Sequence, residues 1–302
     1  MSPEQQTFDV GGVKVKVTHL DKVLYPSTGT TKAELIDYVV RVAPALLRQL
    51  EDRPVTRIRF PDGVDGQPFF EKNVPRGAPP WLRHRVLPAA PGNDDEGTEL
   101  DLPFLDDLAG LVWATNAGAL ELHTPQWSVP RRGGRVRGAD RLVVDLDPGT
   151  GAGLAECTVV AHVVARRLAK DGLTATVPVT SGSKGMQLYA PLPRRRPAVE
   201  VRQYARDLAH ELAREHPQLV VAVMRKDLRG GKVLLDWSQN HPAKTTITPY
   251  SLRGRHEPRV AAPRWWDEVG PGLEQLAPQD VVRRLDERGD PFVDGAGSPG
   301  DD

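Results

Sequence analysis

Arg141-Leu-Val-Val-Asp-Leu-Asp-Pro148 is a short apolar run that carries two carboxylates one residue apart and stops at a proline. Bounded by Gly138 and by Pro148-Gly149, and rich in β-branched valine, it reads as a buried strand. Side chains alternate faces along a strand, so Asp145 and Asp147 point the same way while Leu146 enters the core. Two like charges held together are costly unless a cation offsets them, and a divalent metal bound by carboxylate oxygens is the simplest such cation. The plainer alternative is a strand-end turn whose aspartates cap backbone amides.

On the amino-terminal side, a weakly structured start is followed by the alternating Val13-Lys-Val-Lys-Val17, which fits an exposed strand. Thr31-Lys-Ala-Glu34 is a capping-box pattern that opens an amphipathic helix, with a kink expected at Pro44. Arg53 to Phe60 reads as a strand, residues 75–98 as a loop rich in Pro, Gly and charge, Leu105 to Ala117 as a helix, and Ala119 to His123 as a strand ending on histidine. On the carboxyl side, Glu156 to Lys170 and Val199 to His216 have helical spacing, whereas Thr174 to Val179, Met186 to Ala190 and Lys232 to Trp237 read as strands. Residues 239–263 are loop-like, Pro278 to Arg288 is a helix opened by proline, and residues 289–302 form a tail of Gly, Pro and Asp without expected order. Strands and helices mix without strict alternation, which predicts an α+β fold with a mostly antiparallel sheet core flanked by helices.

With 302 residues, 39% of them hydrophobic, the chain has enough apolar material for a substantial core. The single cysteine, Cys157, excludes an intrachain disulfide and a cysteine-cluster zinc site. No signal-like segment or membrane-length apolar window is present, so a cytoplasmic, nucleoid-associated protein without a membrane partner is expected. Forty basic residues balance forty acidic ones, and net charge therefore gives no support to nucleic-acid binding. The local distribution is more telling, with basic clusters at Arg131-Arg132-Gly-Gly-Arg135-Val-Arg137, Arg194-Arg195-Arg196, Arg225-Lys226 and Arg253-Gly-Arg255. Taken singly, each reads as a solvated run.

Three pieces carry chemistry. Asp145 and Asp147 supply one side of a metal site, and Asp236, at the end of another apolar strand, is the candidate third carboxylate for two-metal phosphoryl or nucleotidyl transfer. The loop Ser181-Gly-Ser-Lys-Gly185, between two strands, offers glycine backbone, hydroxyls and the Lys184 charge to a triphosphate, or else it is a hairpin turn with a solvated lysine. It is not a Walker A loop, and the companion motifs of the penicillin-binding enzymes are missing. Asp236-Trp-Ser-Gln-Asn240 through Lys244 to Arg253 brings amides, hydroxyls and fixed cations into one irregular segment suited to a sugar and its phosphates. In addition, Phe69-Phe-Glu-Lys-Asn73 sets two aromatics beside a lysine, so that Phe70 and Lys72 fall on one face of an extended segment.

These stretches, together with Asp21-Lys-Val-Leu-Tyr-Pro26 and Asp62-Gly-Val-Asp-Gly66, occur in the order found in the polymerase domain of bacterial ligase D, of the archaeo-eukaryotic primase superfamily, and residues 18 to 270 resemble that family. The resemblance implies a single primase-polymerase domain over 1–288, with an amino-terminal subregion to about 130 and a catalytic core over 131–270. It implies a stand-alone, template-dependent nucleotidyltransferase that adds nucleotides at DNA ends or gaps during non-homologous end joining. Asp145, Asp147 and Asp236 match the metal-binding acids, with two Mn2+ or Mg2+ ions implied. His123, Ser181, Lys184, Gln239 and Arg253 match positions around the incoming NTP or dNTP. Phe70 matches an aromatic that stacks at the template, and Lys72 a cation for the 5′-phosphate of the downstream strand. A separate DNA ligase and a Ku-type end-binding protein are the implied partners. One position departs from the family: where a histidine is general, this chain has Gln187, which donates a hydrogen bond but carries no charge. Two other classes compete: an aspartyl-phosphate phosphatase of the haloacid-dehalogenase type, suggested by Val143-Val-Asp-Leu-Asp147, and a non-catalytic DNA-end binder, suggested by Gln187.

Overall fold

Residues 5–92 and 95–294 are described by the structure, a computed structural model. The elements that frame the site begin with α1 (Lys32–Leu50), β1 (Thr56–Arg59), β2 (Phe69–Glu71), α2 (Leu108–Asn116), β3 (Ala119–Thr124), β4 (Ala139–Pro148) and α3 (Leu154–Lys170). They continue with β5 (Val177–Thr180), β6 (Met186–Arg196), α4 (Ala198–Glu215), β7 (Val220–Val221), β8 (Val233–Asp236), β9 (Thr246–Ile247), β10 (Ala262–Pro263), α5 (Pro278–Arg288) and α6 (Pro291–Asp294).

The aspartate strand β4 lies inside a sheet ordered β7-β8-β4-β6-β5-β10, antiparallel except where β7 meets β8. A second sheet, β9-β3-β1-β2, is antiparallel throughout. The chain thus adopts the α+β, mostly antiparallel architecture that its pattern predicts. Alternation along β4 sends Leu142, Val144 and Leu146 into a core shared with Val160, Val164 and Leu168 of α3 and Leu208 and Leu212 of α4. Each such burial stabilises by about 1.5–3 kcal/mol, and cutting Leu146 back to alanine would cost about 2–5 kcal/mol. The opposite face begins with Val143, packed on Val179, Tyr189 and Ile247, and continues into the two aspartates.

Helix α1 starts as its sequence predicts. The Thr31 hydroxyl accepts from the Glu34 amide at 3.4 Å, and the Thr31 amide donates to Glu34 Oε2 at 2.7 Å. The helix runs through Pro44, which leaves the carbonyl of Val40 without its helical donor, and Val40 is exposed to water.

Several expectations are corrected. Residues Gln5–Val10 form a strand paired with Val13–Thr18, and that second strand is half-buried, with Val15 and Val17 packed on α2 and Lys14 and Lys16 turned outward. The stretch 75–98 contains the strand His84–Pro88, paired with Glu99–Pro103. Within 239–263 lie β9, β10 and the short pair Leu252–Arg253 with Arg259–Val260. Part of the expected tail is folded: α6 follows Asp290, which is buried, accepts from the Tyr250 hydroxyl at 2.5 Å and pairs with Arg48 at 3.2 Å. Residues 295–302 lie outside the described residues.

Candidate active site

Asp145 on β4 stands between two partners in register, Asp236 on β8 and Gln187 on β6. Residues directly opposite in a sheet project to the same face, so the three polar side chains form one row across three strands. Burial, then the charges of Asp236 and Asp147, push the Asp145 carboxyl up to about 7, against the pull of a hydrogen bond from Gln187 and the charge of Arg253. Gln187 is itself buried, and its carbonyl oxygen accepts from the Tyr189 hydroxyl at 3.3 Å. Its amide is therefore turned toward Asp145.

The three acids do not share one environment. Asp147 is exposed and pairs with Arg229 at 3.2 Å. Asp236 accepts from the Ser238 amide at 3.0 Å and from Gln239 Nε2 at 2.8 Å. Among the described residues no group of three or more His, Cys, Asp and Glu side chains is arranged to hold a metal ion. The donor chemistry nevertheless fits a hard divalent cation, because Asp145 is in register with Asp236 and shares a strand face with Asp147, which brings carboxylate oxygens together.

A cavity of about 590 Å3 opens in front of this row. Its walls include eight residues singled out from the sequence: His123, Asp145, Asp147, Ser181, Lys184, Gln187, Gln239 and Arg253. Asp236 is not on the wall. Phe70 and Lys72 line a second cavity of about 520 Å3 instead, and His123, Gln239 and Thr245 belong to both walls. Phe70 is 60% exposed, and the Lys72 ammonium lies 5.9 Å from its ring centroid while pairing with Asp95.

The loop between β5 and β6 is held open by close approach. A side chain at Gly185 would collide with the Leu146 carbonyl, and Gly182, at φ 68°, has Arg253 and Val260 where a Cβ would sit. Three of its amides are already engaged: Ser181 donates to the Gly185 carbonyl at 3.0 Å, Gly182 to Gln275 Oε1 at 2.6 Å, and Ser183 to the Ser181 hydroxyl at 3.2 Å. Among the described residues the Lys184 side chain and the amides of Lys184 and Gly185 have no hydrogen-bond partner, which leaves them to meet an anion.

Two residues that sequence reasoning missed hold the wall in place. Glu121 is buried, accepts from His123 Nε2 at 2.9 Å and from the Gly254 amide at 3.0 Å, and lies 3.5 Å from Arg253 Nε. Burial opposes its charge, but the His123 hydrogen bond and the Arg253 charge outweigh it and hold the carboxyl below its usual range. Its place two residues before His123 on β3 put it on the same face, which was a usable signal. Gln275 also donates to the Gly185 carbonyl at 3.0 Å, bridging the glycine loop. Nothing local in its sequence announces that role.

An antiparallel sheet that presents in-register carboxylates beside a lysine-bearing glycine loop, above a cavity of nucleotide size, defines a primase-polymerase type of protein. The family profile described as LigD, primase-polymerase domain, matches residues 31–292. The chain belongs to the LigD primase-polymerase domain family. It is 45% identical over 278 residues to the multifunctional non-homologous end joining protein LigD of Mycolicibacterium smegmatis, covering 92% of this chain and 35% of the relative. It is 33% identical over 292 residues to the bifunctional non-homologous end joining protein LigD of Bacillus subtilis, covering 96% and 45%. The solved polymerase domain of Mycobacterium tuberculosis ligase D in complex with DNA superposes with a TM-score of 0.86 at 44% identity, covering 91% of this chain and 96% of that one. The chain thus spans less than half the length of these two LigD proteins, and the phosphatase reading of Val143 to Asp147 falls with the family.

Proposed function

We propose that this chain is a template-directed polymerase that adds ribo- or deoxynucleotides to broken or gapped DNA during non-homologous end joining. The observation that carries the reading is that Asp145, in register with Asp236 on one side and Gln187 on the other, shares one cavity with Gln187 and the Lys184 loop. Asp145, Asp147 and Asp236 are the residues that would hold Mn2+ or Mg2+, which in such sites activate the attacking oxygen and offset charge on the triphosphate.

The chain's own groups divide the remaining work. Lys184, with the amides of Lys184 and Gly185, binds phosphate oxygens as charge-assisted donors. Arg253, His123 and Gln239, which line the same cavity, bind the rest of the nucleotide, with Glu121 fixing the first two. Gln187 orients Asp145 and, being neutral, adds no charge to the pocket at any pH. Phe70 offers its exposed ring to an unpaired template base, and Lys72 a cation to a 5′-phosphate once Asp95 releases it.

Extension of a primed overhang with ribo- and deoxynucleotides, in Mg2+ and in Mn2+, tests the reading. Templated incorporation is the expected result, and Lys184→Ala should raise the nucleotide KM about tenfold or more while leaving DNA affinity within twofold. DNA binding without incorporation in either metal would overturn the polymerase reading in favour of an end-binding protein. A second measurement addresses the DNA side: at low salt the protein should bind a gap with a 5′-phosphate more tightly than one with a 5′-hydroxyl, and Lys72→Ala should erase that difference. Ku-type and ligase partners, and association with the nucleoid, follow from the same proposal and would be read by co-purification with DNA ends.

A further inference from the structure

Two arginine runs that are far apart in sequence meet at the end of β4 opposite its aspartates. Ala139 on β4 is the register partner of Arg196 on β6, and Arg195 Nη1 donates to the Gly138 carbonyl at 3.1 Å and to the Ser128 hydroxyl at 3.0 Å. Ser128 in turn bridges to Arg137. The ten residues 131–137 and 194–196 hold seven arginines and no acid. Two of the seven are neutralised, Arg131 by Asp106 at 2.7 Å and Arg195 by Asp140 at 2.9 Å.

The other five, Arg132, Arg135, Arg137, Arg194 and Arg196, are exposed and have no acidic partner among the described residues. In a chain with forty positive and forty negative side chains, such a face is a local imbalance that self-repulsion disfavours unless a polyanion covers it. The turn is built to hold the charges apart: Gly133 and Gly134 take positive φ, and Gly134 rests on the Arg85 guanidinium, a further cation beneath the loop.

We propose that this arginine face binds the sugar-phosphate backbone of duplex DNA behind the end on which the active site works. The inference rests on the polymerase reading for its ligand and adds a second, separate contact surface. Six residues of strand separate Ala139 from Asp145, about 20 Å at ~3.3 Å per residue, which is close to the length of six base pairs. The guanidinium fork matches two phosphate oxygens at once, and five exposed forks without base-reading geometry describe sequence-independent holding.

The test uses DNA hairpins that share one recessed end but have stems of about 5 or 16 base pairs, with affinity followed by fluorescence anisotropy across a salt series. The wild-type chain should bind the longer stem more tightly and with the steeper salt dependence. A variant carrying Arg132→Gln, Arg135→Gln, Arg137→Gln, Arg194→Gln and Arg196→Gln should lose the length preference and flatten the log–log salt slope on the long stem by up to about 4. The milder Arg132→Gln, Arg135→Gln and Arg137→Gln variant should lose about half of that, and thermal melting confirms that each is folded. Incorporation on the short stem should stay at the wild-type rate in both variants. Failure of the wild type to incorporate would sink the polymerase reading and leave the length dependence as a separate result. An unchanged slope in the fivefold variant, a wild type indifferent to stem length, or poly-glutamate binding this face as tightly as DNA of equal charge would overturn the proposal.

Discussion

Asp145 concentrates the electrostatic cost of the site in one carboxyl. Its folded value of about 7 lies above the ordinary range for an aspartate, so the folded state binds a proton that the unfolded chain has already lost in the interval between the two. A raised carboxyl therefore removes stability above its unfolded value and returns it as pH falls through 7. Asp145→Asn should accordingly melt at or above the wild type at pH 8 without added metal, with the gap closing towards pH 5, while nucleotide incorporation disappears and DNA affinity is kept. Melting curves in EDTA at the two pH values check the first part, and a variant less stable than the wild type at pH 8 contradicts it. The pairing of Asp145 and Asp147 on one face was legible because a strand has a fixed period of two, and it needs no tertiary information. The engagement of Asp147 by Arg229 was not, since it depends on a contact 82 residues away, and of the partners of Glu121 only His123, two residues on, was within reach of that period, Arg253 lying 132 residues away. Glu121→Gln keeps the shape but removes the charge that orients His123 and Arg253. It should raise the nucleotide KM about tenfold with a smaller change in kcat, a split that a general loss of folding would not produce.

At the scale of elements, the glycine loop between β5 and β6 shows how a hairpin becomes rigid. Strands β5 and β6 and the intervening glycines could be read directly, because Thr180 to Gly185 has the turn chemistry that two short apolar runs require. What the sequence conceals is the brace. Gln275 arrives 90 residues later, from a stretch without regular structure, to accept from the Gly182 amide and donate to the Gly185 carbonyl. Each of those bonds contributes about 0.5–1.5 kcal/mol, so Gln275→Leu frees the loop at a total cost of about 1–3 kcal/mol. Part of that ordering must then be supplied by the nucleotide itself. The expected result is a rise of about tenfold in the KM for the nucleotide and a fall of a few degrees in melting temperature, with DNA affinity unchanged. Steady-state kinetics in nucleotide and anisotropy on a fixed DNA substrate separate the two, and a variant that weakens only DNA binding would show that the loop faces the wrong ligand.

Across the whole molecule, the large helices and the central sheet were readable from periodicity, whereas the pairing of Gln5–Val10, the hairpin at His84–Pro88 and the short strands after Thr246 were not. Those segments are short or rich in polar residues, and their hydrogen bonding is decided by what lies opposite them, not by their own pattern. The same tertiary assembly creates a feature that no single motif contains. The cavity of Asp145 and Lys184 and the cavity of Phe70 and Lys72 share a wall of His123, Gln239 and Thr245. Asp236 reaches that wall through its bond from Gln239, and Glu121 through its bond with His123. A ligand that orders those side chains from one cavity removes part of the ordering cost for a ligand in the other, which makes the two affinities depend on each other. Such coupling is reciprocal by thermodynamic necessity: if a primed template tightens nucleotide binding by a given factor, the nucleotide tightens template binding by the same factor. A factor of about 5–150 is typical of coupled sites. Binding of a non-hydrolysable nucleotide and of DNA with a template overhang should show equal factors when measured in both directions at one salt concentration. Gln239→Ala, which removes a shared side chain without removing an acid or Lys184, should bring the factor towards one while changing the affinity for DNA alone less than twofold. Additive binding in the wild type, with each ligand blind to the other, would mean that the shared wall transmits nothing.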